Sequence, residues 1–121
     1  MQTYPIIDDS GTIYAFEIEN SYVGPGALER VLANVPGVTQ VQSRKLFAAS
    51  HETIVKFTFK GEEFEVSEPF GDSSRYWIGP RETDRRFDVA DINFAFQQYV
   101  PTRLARLIGD LVSLRFGSLF R

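Results

Sequence analysis

The chain has 121 residues, 43% of them apolar and 24% charged, a balance that suits one folded domain and excludes a disordered polymer. It has no cysteine and a single histidine, His51, which excludes disulfides, thiolate metal centres and cysteine nucleophiles. The net charge of −3 is unevenly spread: residues 1–74 hold five Lys and Arg against eleven Asp and Glu, and residues 75–121 hold eight against five.

A short strand is predicted over Thr3–Asp8, with a turn at Asp9–Ser10–Gly11. Thr12–Glu19 then alternates, placing Tyr14, Phe16 and Ile18 on one face of a half-buried strand. Gly24–Pro25–Gly26 punctuates the chain and opens a helix, because proline suits the first helical turn. Leu28, Val31, Leu32 and Val35 give that helix one apolar stripe, which Pro36–Gly37 ends. Val38–Leu46 reads as a polar strand near a sheet edge.

The strongest pattern spans Thr53–Lys60 and Glu62–Glu68. Val55, Phe57, Phe59, Phe64 and Val66 fall on one face of a hairpin that turns at Gly61. Two registers are open: a turn at Lys60–Gly61 sets Lys56 against Glu65, and a turn at Gly61–Glu62 sets Lys60 against Glu63. Glu68–Ser74 follows as a turn, and Arg75–Ile78 as a fourth meander strand ended by Gly79–Pro80. Asp88 and Asp91 mark a helix start, with Ile92, Ala95, Phe96 and Tyr99 as its stripe and Pro101 as its break. A further helix from Thr102 carries Leu104, Leu107, Ile108, Leu111 and Leu114, and Gly117 marks its end.

Few of the polar clusters suggest catalysis. Gly71–Asp72–Ser73–Ser74 lacks the G-x-S-x-G spacing of a nucleophile elbow, and the lone His51 lies upstream among polar neighbours. Asp72 and Ser73 therefore read as turn residues that bond backbone. One imidazole without cysteine cannot build the usual zinc shells, so no metal site is expected. Glu63 and Glu65 share a face with Lys56 and read as solvated sheet surface. Gly24–Pro25–Gly26 has neither the spacing nor the lysine of a phosphate loop.

One cluster stands out. Arg75, Tyr76, Trp77, Arg81, Arg85 and Arg86 interleave cations with aromatics, the residue types enriched in binding hot spots. With Tyr76 and Ile78 turned to the core, Arg75 and Trp77 share the open face. The plain structural reading is that a loop caps Trp77 and that Arg75 pairs with a glutamate of the meander. The functional reading is a recognition surface comprising Arg75, Trp77, Asp72, Arg81 and Arg85.

The expected fold is a single α+β domain over residues 1–121. Its mostly antiparallel sheet has the order β-β-α-β-β-β-β-α-α, with the helices packed on one face. The expected function is a non-catalytic, cytoplasmic module that binds another protein and needs no cofactor. A homodimer through the C-terminal helix would bury that helix's surplus of apolar residues. Nucleic acid is not expected as a partner, since the acidic balance lacks a concentrated basic surface. Nor is a membrane, since no apolar run approaches the ~18 residues of a span. The alternative is a small enzyme or small-molecule binder with an aromatic-lined pocket and an Arg for an anionic group.

Overall fold

A computed structural model describes residues 1–19, 23–43, 53–68, 75–82 and 87–100. Six antiparallel strands form one sheet: β1 (Thr3–Ile7), β2 (Ile13–Glu19), β3 (Val38–Ser43), β4 (Thr53–Phe59), β5 (Glu62–Ser67) and β6 (Arg75–Pro80). Two helices accompany it, α1 (Pro25–Ala33) and α2 (Ala90–Gln98). The α+β class with an antiparallel sheet is therefore established. The predicted helix from Thr102 lies outside the described residues, as do His51, Asp72, Ser73, Arg85 and Arg86.

Strand order across the sheet is β1-β2-β6-β5-β4-β3. Strands β3 to β6 form a meander, and β6 joins it to the β1–β2 hairpin by pairing with β2. The β4–β5 turn falls at Lys60–Gly61, with φ of 51° and 84°, the two left-handed residues that a type I′ turn requires. This selects the register in which Lys56 faces Glu65 and Phe57 faces Phe64. At the β1–β2 turn, Gly11 takes φ of 85°, and the Asp8 carboxylate accepts hydrogen bonds from the backbone N–H of Ser10 (2.9 Å) and Thr12 (3.0 Å).

Strand β6 extends past Ile78, so Gly79 and Pro80 continue the strand instead of ending it. Proline is tolerated there because β2 stops pairing at Ile78, whereas β5 continues to Pro80. The missing N–H thus leaves no ladder bond unmade on the β2 side. Pro5, in the edge strand β1, likewise blunts a row of groups that would otherwise invite another strand.

The core gathers Phe16 and Ile18 from β2, Val55, Phe57 and Phe59 from β4, Phe64 and Val66 from β5, and Tyr76 and Ile78 from β6. Leu28, Val31 and Leu32 of α1 and Ile92 and Phe96 of α2 complete it. Phe57 stacks on Phe64 at 5.6 Å, Phe59 meets Phe64 edge-on at 5.7 Å, and Phe16 meets Phe96 at 5.5 Å. Helix α1 starts on Pro25 and packs across β3 and β4, while α2 packs on β1 and β2 and touches α1.

Helix α2 starts two residues after Asp88, whose carboxylate accepts a hydrogen bond from the Ala90 N–H at 2.8 Å. Its far end is closed by the chain's own first residue. The Met1 α-ammonium donates to the carbonyls of Phe96 (3.2 Å), Gln97 (2.8 Å) and Tyr99 (2.6 Å). A cation here satisfies carbonyls left over at the helix end and complements the negative end of the helix dipole.

Candidate recognition face

Period-two alternation places a second set of side chains on the face of the sheet opposite the core. Register lines these up in rows across the strands. One row runs Thr53, Ser67, Trp77, Glu17 and Tyr4; the next runs Gln42, Lys56, Glu65 and Gly79, and Ala15, which lies beside Gly79, pairs with Ile6 past the end of the β2–β6 ladder. Arg75 stands opposite Glu19 at the end of the β2–β6 ladder.

Trp77 does not stand up from this face. A Cβ on Gly79 would lie 2.6 Å from Trp77 Cη2, 2.7 Å from its Cζ2 and 2.9 Å from the Ala15 Cβ. The indole therefore leans along its own strand and lies over Gly79, beside Ala15, in a notch that only small residues leave. Gly79 and Ala15 are buried although they point away from the core, while Trp77 itself stays partly exposed. Covering a strand glycine with a neighbouring aromatic is a recognised way to restore packing that the glycine lacks.

The sequence signal for this arrangement was a tryptophan two residues before a glycine, which puts both on one face of a strand. Reading Gly79–Pro80 as a stop hides it.

Arg75 reaches across β2 towards β1. Its guanidinium lies 3.6 Å from the centre of the Tyr4 ring and pairs with the Glu17 carboxylate at 3.5 Å. The Tyr4 hydroxyl donates to Glu19 at 3.0 Å. That hydrogen bond to Glu19 raises the Tyr4 pKa above its ordinary value, so the phenol stays protonated and acts as a donor through the neutral range. Glu17, which pairs with Arg75, belongs to β2, the neighbour of β6 on the side away from the β4–β5 hairpin.

Arg81, just past β6, borders a polar depression of about 200 Å³ with Gln40, Gln42, Lys56, Thr58 and Glu63. A β-bulge shapes its rim: pairing of β3 with β4 slips between Thr39 and Gln42, and Gln40 takes φ of 53°. In that conformation Gln40 accepts a hydrogen bond from the Thr58 hydroxyl at 3.2 Å. Bulges of this kind re-aim side chains at sheet rims.

Of the five residues singled out in the sequence, the structure places Arg75 and Trp77 on one face and Arg81 at the border of this depression. Asp72 and Arg85 lie outside the described residues. Tyr4, Glu17 and Glu19 join the cluster only through strand order. Among the described residues, no group of three acidic or histidine side chains converges as a metal site. None of the described helices is long and apolar enough to cross a membrane. Comparison with protein-family models, with curated proteins and with solved structures gives no match for this chain.

Proposed function

We propose that the protein is a non-catalytic protein-binding module. In this reading both helices cover one face of the sheet, and the other face, centred on Trp77 and Arg75, docks the partner. The observation that carries it is the seating of the Trp77 ring over Gly79. A tryptophan already held flat by the sheet loses little conformational freedom on binding, and tryptophan and arginine supply much of the energy at interfaces. The Arg75 guanidinium is held in the same way, between the Tyr4 ring and Glu17.

The competing reading, a pocket for a small molecule, draws on the polar depression beside Arg81. At about 200 Å³ it is smaller than the roughly 300–1,000 Å³ of typical ligand pockets, so it ranks second.

The test is partner capture from the native host with the wild-type chain and with Trp77→Ala and Arg75→Ala, each first shown to melt cooperatively. A protein retained by the wild type and lost by both folded variants supports the reading. Retention of the same proteins by all three chains, or unfolding of Trp77→Ala, contradicts it.

A further inference from the structure

Helix α2 ends on a contact that depends on the chemical state of one nitrogen. The Met1 ammonium has three N–H donors and meets three carbonyls, those of Phe96 (3.2 Å), Gln97 (2.8 Å) and Tyr99 (2.6 Å). Donors and acceptors match in number, so the site fits a charged, unsubstituted amine. The Met1 side chain packs against the core and anchors that nitrogen, and burial lowers the pKa of the amine below its ordinary value.

The two helices differ at this point. Helix α1 has Arg30 in its last turn, but the last turn of α2 has no basic side chain. The cation that complements the negative end of α2 is therefore supplied by Met1.

We propose that the Met1 α-amine is a modification site that works as a clasp on α2. Unmodified, it fastens the end of the helix to the start of β1. Acetylated, it lets that end go. Acetyl transfer from a thioester forms the N–C bond and breaks the C–S bond. Two of the ammonium's three protons leave, one on the departing thiol and one to water. The product is a neutral amide with a single N–H, so at most one of the three hydrogen bonds survives and the charge at the helix end is lost.

The contact also shields its own nitrogen. Acyl transfer needs the nitrogen lone pair, and in the folded chain all three N–H bonds point at carbonyls. Acetylation must therefore precede the docking of α2 or wait for its end to open locally. The device belongs to the helical side of the molecule and does not depend on the proposed recognition face.

Two measurements on the full chain test it. The first is the rate at which an acetylating ester modifies the Met1 amine, scaled to that of the exposed Lys60, in folded and in urea-unfolded protein. Folding should slow the Met1 reaction by about tenfold or more. The second uses chain acetylated in urea at a pH of about 7, where the α-amine reacts ahead of lysine, then refolded. Its Gln98 and Tyr99 amides should exchange with solvent about tenfold faster than in the unmodified chain. Equal scaled rates in folded and unfolded protein would overturn the proposal, and so would unchanged exchange in the folded acetylated chain. If the acetylated chain does not refold, the rates on unmodified protein decide alone.

Discussion

The two faces of the sheet are held by different physics. On the core face, Phe57, Phe59, Phe64, Val66, Ile78 and Phe16 pack against helices, and the aromatic rings meet at ordinary contact distances. Their stability comes from apolar area removed from water, which tolerates swaps between apolar side chains as long as volume is conserved. On the other face, the arrangement depends on single positions. Gly79 must lack a side chain for Trp77 to lie down, and Arg75 must sit one strand away from Glu17 and two from Tyr4. The first face makes the fold. The second uses the fold as a frame to hold a few partly exposed groups in fixed positions.

Substitutions should separate the faces by size of effect. Phe57→Ala removes a buried ring that stacks on Phe64, and should cost about 3–5 kcal/mol in urea or thermal unfolding. Gly79→Ala fills the notch beneath Trp77 and should cost about 1–3 kcal/mol, with the indole forced off the sheet. The chain has one tryptophan, so the change in emission reports that ring alone. A Gly79→Ala protein with wild-type stability and emission would show that the ring does not rest on Gly79.

One added residue before Met1 tests the core side from its edge. It displaces the ammonium from the carbonyls at the end of α2 and should cost roughly 1 kcal/mol, read as a lower melting temperature. Faster amide exchange in the last turn of α2 should accompany it. Glu17→Gln should do least: its pair with Arg75 is partly exposed, at 31% and 39%, and exposed pairs contribute about 0–1 kcal/mol. If Glu17→Gln were as damaging as Phe57→Ala, the distinction between a packed face and a presenting face would collapse.

The same contrast governs what could be read from the sequence. Alternation in Val55–Phe59 and Phe64–Val66 showed the core face directly, because burial of every second side chain is itself the signal. The register of that hairpin stayed open, since both turns matched opposite charges. It is decided by left-handed backbone at Lys60 and Gly61 together with the direct Phe57–Phe64 stack. Arg75 and Trp77 were legible as residues of interest from composition and as neighbours on the open face from alternation. Their partners were not, because Tyr4 and Glu17 come alongside only when β6 inserts next to β2, a long-range pairing with no local pattern. Ala15 was hidden for the same reason: it is buried on the face away from the core, beside Gly79 of strand β6. The bulge at Gln40 left no glycine in the sequence to betray its positive φ.

A recognition face of this kind needs Trp77 fixed against the sheet yet reachable from outside. Acrylamide quenching of its fluorescence in the folded full-length chain tests this most directly. Quenching should be intermediate between that of a free indole and that of a core tryptophan, and should increase in Gly79→Ala while the protein remains folded. Emission that acrylamide cannot quench in the folded wild-type chain would place Trp77 in the interior and contradict the proposed recognition face.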